Sequence, residues 1–346
     1  MTTTSMGAHG ATLALAGAIA LGVGIRASSE TIDETVLLGE IGFSAEEIQR
    51  IGRGEIVSRS IDADGSAIAL AVAGTIAVPA TFYVESFRDI ESFKKTEEVQ
   101  QIGRFGDPPA AADMAGLTLD QEDIDDLRSC RVGACGVKLD RRGIETIGAR
   151  DARVDTASAA LRAHLSEYTQ RYLRSGNSVL MEYHDSSPPG RIAEQLRAIS
   201  TRTTYLRRWP ALFDAVFNFN GTLPPGLDGF VYWSREKVGP RPVVSVTHVV
   251  ISPSREGAAV VATKQIYGSH YGRASLGIAI LLDKGTPDAP RTRVVYLNRS
   301  RLDVFGGILG PLKRPLVRSR AREGAERMMT GVKARLEKKY AGNAER

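Results

Sequence analysis

The sequence predicts an α+β fold in which a curved antiparallel sheet closes over one long C-terminal helix, with a helical insertion in the first half of the chain. Two observations carry this. Between Val243 and Arg299 four apolar runs follow one another, 243–251, 259–271, 274–282 and 292–300, separated by Ser/Pro/Gly/Asp clusters, which is the pattern of an antiparallel meander. From about Pro315 to Tyr340 the period becomes helical, and Val317, Ala321, Ala325, Met328, Met329, Val332, Leu336 and Tyr340 trace one apolar stripe. A meander and a single helix bury both apolar faces when the sheet curls around the helix, and the space between them is then a cavity.

The remaining elements follow from the N-terminus. ATLALAGAIALGVGI (11–25) has the length of a signal-peptide core and is short for a membrane span, although no Lys or Arg precedes it. Residues 1–27 are therefore expected to be a signal peptide or an N-terminal anchor. FSAEEIQRIGRGE (43–55) is a helix with Ser44 and Glu47 as a capping box. EIVSRSI and AIALAVAGTIAV read as strands around a turn at Asp62 to Gly65. PATFYVESFRDIESFKK (79–95) carries a helical stripe of Phe82, Val84, Phe87, Ile90 and Phe93 behind a proline start.

Residues 96–150 read as the insertion, rich in Asp107, Asp113, Asp120, Glu122, Asp123, Asp125 and Asp126. They lack the Gly and Glu positions of a calcium loop, and a helix N-terminus near Thr118 accounts for acids there. Helices are expected over 152–174 and, broken near Pro210, over 191–219. VLMEYHD (179–185) reads as a strand, and GFVYWSREKV (229–238) opens the final sheet. With no repeat or low-complexity linker, 36–346 reads as one domain.

The formal net charge of +5 is local. Residues 311–346 carry eleven Lys/Arg against four Glu, which leaves 34 basic against 36 acidic residues elsewhere. A nucleic-acid partner is not expected, and the basic face of one helix can meet an anionic membrane surface or simply be solvated. The two cysteines, Cys130 and Cys135, have neither CxxC spacing nor a nearby His. They are expected to form a small disulfide loop, in keeping with a periplasmic or extracellular location.

No phosphate-binding loop, dinucleotide fingerprint, HExxH or GxSxG motif occurs, and no cofactor or metal is expected. His248 and His270 fall on consecutive strands; facing inward together they would make an acid–base pair, and facing apart they are structural hydrogen-bonding groups. Val246, Ile266, Ile278 and Val295 are expected to line the cavity toward the helix. Lys264, Tyr267, His248, His270, Tyr271, Tyr296 and Arg299 are the candidate ligand contacts. FGGILGPLKR (305–314) reads either as a sharp turn or as an anion-holding loop. Gly324 and Gly331 beside the helix stripe suggest close approach of the sheet or of a ligand.

The order of elements, together with KQIYGSHYGRASLGIAILL, RVVYLNRSRLDVFGG and LKRPLVRSRAREGAERMMTGVKARLE, resembles the START-like, helix-grip superfamily of polyketide cyclases and lipid-transfer domains. That resemblance implies non-enzymatic binding or transport of a lipid-like or polycyclic hydrophobic ligand. The same fold also hosts cyclases and hydrolases, which here would use His248 and His270. A third expectation is an envelope structural protein without ligand.

Overall fold

Local capping starts the chain's order. In the computed structural model, Asp33 accepts from the Thr35 and Val36 N–H groups to open α1 (Glu34–Ile41), and the expected Ser44/Glu47 capping box opens α2 (Ala45–Gly52). The residues described are 32–61, 67–148, 154–237, 239–255, 257–303 and 310–344. The leader at 1–27, the turn at Asp62 to Gly65 and the glycine turn at Gly306 and Gly307 lie outside them. No helix among the described residues is long and apolar enough to cross a membrane.

A hairpin of β1 (Val57–Ser60) and β2 (Ala67–Ile76) is followed by α3 (Ala80–Arg88), α4 (Ile90–Phe93) and β3 (Val99–Arg104). The helix expected over 79–95 thus breaks at Asp89, whose side chain accepts from the Ser92 N–H and caps α4. Next come α5 (Gln121–Ser129), capped by Asp120 rather than Thr118, then α6 (Arg141–Gly148) and α7 (Val154–Ser175). The strand expected over 179–185 shrinks to a two-residue pairing of β4 (Glu182–Tyr183) with β5 (Gly190–Arg191). α8 (Ile192–Ser200) and α9 (Pro210–Phe217) follow, and Pro210 starts α9 instead of breaking a longer helix. The expected meander is present as β6 (Asp228–Glu236), β7 (Val243–Arg255), β8 (Ala258–Gly268), β9 (Gly272–Asp283) and β10 (Thr292–Leu302), ending in α10 (Gly310–Ala344).

Eight strands form one antiparallel sheet in the order β1-β2-β10-β9-β8-β7-β6-β3. β3 is an edge strand of this sheet, so the stretch from 96 contributes a sheet member before the helical insertion begins. Each face of the sheet is covered. One core joins α1, α2 and α5 to α9 with Val246, Ile266, Ile278, Val295, Leu276 and Trp233. The other joins α3, α4 and α10 with Val249, Ile251, Val261, Leu281 and Val294.

This corrects the expected faces. Val246, Ile266, Ile278 and Val295 point away from α10, into the broader helical layer. Alternation fixes which residues share a face but not which face is which. A register shift where β7 meets β8, between Val246 and Thr247, also puts Ile266 and Tyr267 into the same core although they are adjacent.

α10 reaches elements at both edges of the sheet. Ser58 on β1 donates to Glu326 at 2.5 Å, and Lys333 Nζ donates to the Thr75 carbonyl of β2 at 2.9 Å. Arg335 donates to the Phe93 carbonyl, just ahead of β3, at 3.2 Å. Ala325, Met329, Val332 and Leu336 are buried as the stripe predicts, whereas Met328 is 40% and Leu316 55% exposed. Gly324 has open space where a Cβ would stand, and Gly331 would meet only Arg335 of its own helix. The close approach expected at these glycines is therefore not made by the sheet.

Candidate functional site

Lys264 and His248 are cross-strand partners on β8 and β7, and both point into the broad helical layer. The Lys264 ammonium donates to Asn177 Oδ1 and to the Val216 carbonyl, each at 2.8 Å. It lies 5.2 and 5.4 Å from the ring centres of Tyr172 and Phe219. His248 Nδ1 is 2.8 Å from the Tyr172 hydroxyl. Gly176 makes this convergence possible: its φ is +64°, and a Cβ there would stand 1.9 Å from the Phe219 carbonyl oxygen. Burial pulls Lys264 down to about 7. Burial, with the Lys264 charge second, holds His248 well below its usual value, and burial lifts Tyr172. The chemistry is that of an acid–base set, yet Lys264 is 0% and His248 2% exposed.

His270 belongs to a different cluster. Its Nε2 is 2.9 Å from Asp123 Oδ1 and its Nδ1 3.1 Å from the Gly136 carbonyl. Arg241 pairs with the same Asp123 oxygen at 2.6 Å, with Asp126, and with Glu122 at 3.3 Å. Burial works against the Asp123 charge, but His270 and Arg241 outweigh it and keep the carboxyl below its usual range. The acidic run of the insertion is thus an anchor for Arg241 as well as a helix start, and no His/Cys/Asp/Glu group among the described residues could hold a metal ion. The backbone N–H of Arg241 donates to the Tyr271 hydroxyl at 3.0 Å. Tyr267 is fully buried beside Tyr183. The expected disulfide Cys130–Cys135 is formed, and its loop is tied to 184–185 through Gly133 N–H to the His184 carbonyl at 2.7 Å and Cys135 N–H to the Asp185 carbonyl at 3.0 Å.

The surface facing α10 differs along the strands. At one end Val249, Ile251, Val261, Leu281 and Val294 are buried. At the other the same parity reads Ser245, Thr247, Thr263, Gln265, Ser275, Tyr296, Asn298 and Ser300. Thr263, Gln265, Ser275, Tyr296, Asn298 and Ser300 are half-buried while their strand neighbours on the opposite face are sealed. Ser300 donates to Asn298 Oδ1 at 2.7 Å, and Asn298 Nδ2 to Ser275 Oγ at 3.3 Å. Gly277 lies in the middle of this floor, where a Cβ would stand 2.5 Å from Thr263 Oγ1 and 3.1 Å from the Tyr296 hydroxyl. One wall carries Lys94 and Glu236, 2.5 Å apart, with Ser234 donating to the same Glu236 at 2.6 Å. Burial opposes both charges and their mutual attraction overcomes it, raising Lys94 and lowering Glu236. Of the seven candidate contacts only Tyr296 lies on this floor. The others were missed because a lone Ser, Thr or Asn reads as a strand filler; the signal was their recurrence at one parity along β8 and β10.

Two pockets among the described residues include none of Lys264, His248, Tyr267 and His270. One of about 160 Å³ lies between α10 and α3/α4, lined by Ser86, Ser92, Phe93, Val332, Arg335, Leu336 and Lys339. The Ser86 hydroxyl is buried with no protein partner. The other, about 540 Å³, is on the opposite face and includes Arg299. The chain matches no protein-family model and no curated protein.

Proposed function

We propose that the protein is a non-enzymatic binder of a small amphiphile, held on the α10 side of the sheet. The observation that carries this is the split of that surface into an apolar end and a half-buried hydroxyl and amide floor, together with a pocket lined by α3, α4 and α10. An apolar chain or ring would occupy the 160 Å³ space beside Phe93, Val332 and Leu336. Ligand cavities usually start near about 300 Å³, so this space suits a short chain or a single ring, smaller than the cavity expected from sequence. A polar end would lie on Thr263, Gln265, Tyr296 and Asn298. The span of α10 between elements at both sheet edges supports the helix-grip resemblance, and the disulfide supports a location outside the cytoplasm.

Arg335 and Lys339 line the pocket, and Arg335, Lys338 and Lys339 are exposed on α10. Each basic residue near an anionic bilayer contributes about 1 kcal/mol, so this helix face supports collection of the ligand from such a surface. The enzyme reading with His248 and His270 has less support, because they lie in separate buried clusters away from both pockets.

The test is displacement of an environment-sensitive fluorescent fatty acid by medium-chain fatty acids, with native mass spectrometry of freshly purified protein. Ser86→Leu removes an unpartnered hydroxyl and fills the pocket. It should leave the fold intact and weaken probe binding tenfold or more. Unchanged probe affinity in Ser86→Leu means the ligand does not bind there.

A further inference from the structure

On the face opposite the amphiphile site, the geometry points to a second binding site, for a small phosphate-bearing metabolite. Its floor is built by the composition of β2. Ala69 and Ala71 face this side of the sheet, and Arg59 on β1 and Arg299 on β10 are the register partners of Ala71 and Ala69. Short alanine side chains in the strand between two arginines leave room above it, and the guanidinium groups border that room from either side. Arg202, in the turn after α8, approaches from above. The walls are Glu40 to Gly42 at the end of α1 and Thr201 and Thr204 around the same turn, enclosing about 540 Å³.

The lining charge is three arginines against Glu40, a net of +2. The lone carboxylate is itself engaged, since Arg208 donates to Glu40 at 2.5 Å. Arg59 is braced by Glu47 at 2.7 Å. Arg299 is nine-tenths buried and lies beside the Tyr205 hydroxyl, which burial pushes up to about 12 against the opposing charge of Arg299. Arg59 and Arg299 are thus held by protein partners at the edge of the pocket, which is preorganisation of the kind that favours anion binding. Each presents a planar fork of donors that fits the paired oxygens of a phosphate. The exposed Thr204 side chain supplies a hydroxyl at the rim, whereas the Thr201 hydroxyl donates to the Ala198 carbonyl at 2.9 Å. The volume exceeds what inorganic phosphate needs and falls in the range of metabolite-sized ligands.

This site is independent of the amphiphile reading, because it shares no residue with the α10 face. The test is calorimetric titration of the full chain with inorganic phosphate, pyrophosphate, glycerol 3-phosphate, a nucleoside monophosphate and citrate, each against sodium chloride of equal ionic strength. At least one phosphate ester should bind more tightly than inorganic phosphate and citrate. Arg202→Gln, at an exposed position, should weaken that ester tenfold or more, and Thr201→Glu, which brings a carboxylate to the rim, should abolish binding while the circular dichroism spectrum and melting temperature stay near those of the parent. Arg299→Gln should weaken it further, and its folding is read in the same way. No binding by any probe beyond the salt control overturns the proposal. So does binding that Arg202→Gln and Thr201→Glu leave unchanged. Preference for citrate over every phosphate ester overturns the phosphate assignment.

Discussion

The two faces of the sheet use the same strands in opposite ways. Facing α5 to α9, the central residues of β7 to β10 are sealed, including the polar ones, and Lys264, His248 and Arg293 are buried there. Facing α10, the alternate residues are apolar toward one end of the strands and mostly hydroxyl- or amide-bearing toward the other, where Thr263, Gln265, Ser275, Tyr296, Asn298 and Ser300 are half-buried. The sealed face buries the Lys264–His248 set, whereas the floor is made mostly of neutral hydroxyl and amide groups with the Lys94–Glu236 pair at its wall. Perturbed titration occurs on both faces, at Lys264 and His248 on one and at Lys94 and Glu236 on the other, so it does not by itself pick out the ligand side, because structural networks shift pKa values as strongly as active sites do.

The comparison is sharpened most by Lys264. Its folded pKa of about 7 lies below the unfolded value of about 10.4, so between these values the unfolded chain binds the extra proton. Stability should rise as pH increases from 7 toward 10, by at most about 4 kcal/mol, while the Asn177 and Val216 oxygens and the two rings favour the ammonium and reduce the figure. Below pH 7 this contribution levels off. Urea melts of the parent and Lys264→Met across that range read the difference, and a flat parent curve means that Lys264 is charged in the folded state.

Next in size is a pair of neighbours on β9. Leu276→Ala, on the sealed face, should cost about 3 kcal/mol through lost burial and a cavity. Ser275→Ala, one residue away on the floor, should cost under about 1 kcal/mol and alter ligand affinity instead. Equal costs in denaturant unfolding erase the distinction between the faces.

The disulfide gives the third test. Cys130 and Cys135 close a loop five residues apart in sequence, for which loop-closure entropy yields about 2 kcal/mol. The loop packs on the sealed face, where the carbonyl of Gly136, the residue that follows it, meets His270. The double variant Cys130→Ser/Cys135→Ser should lower the unfolding free energy, read from denaturant melts, by that amount and leave amphiphile binding unchanged. A change in that binding means that the two faces communicate.

Much of the architecture was legible in local patterns. The four meander strands, the capping box at Ser44 and Glu47, the terminal helix and the cysteine pair were each written in residues close together. What was not legible depends on distant partners. The choice of face for Val246 and Ile266 needed the helices packed on each side of the sheet, and the bulge that turns Tyr267 inward leaves no mark in the sequence. The separation of His248 from His270 is set by Tyr172 and Asp123, each more than seventy residues upstream of its partner. The arginine pocket was visible only as a run of alternating alanines in β2, a pattern that reads as a weak strand until its neighbours are known.

The place of β10 in the sheet has a consequence for how the chain matures. β10 is hydrogen-bonded to β2 on one side and to β9 on the other, with Thr292 opposite Ile76, so the first hairpin joins the sheet only through its last strand. Until residues near 300 have left the ribosome, or the export channel, one edge of β2 has no native partner. Non-local pairing of this kind is slow because the whole intervening loop must be closed first, and an open strand edge is a template for misassembly while it waits. Assembly is therefore gated by synthesis of the C-terminal end, and a nascent chain stalled before Thr292 is the species on which a holding chaperone would act.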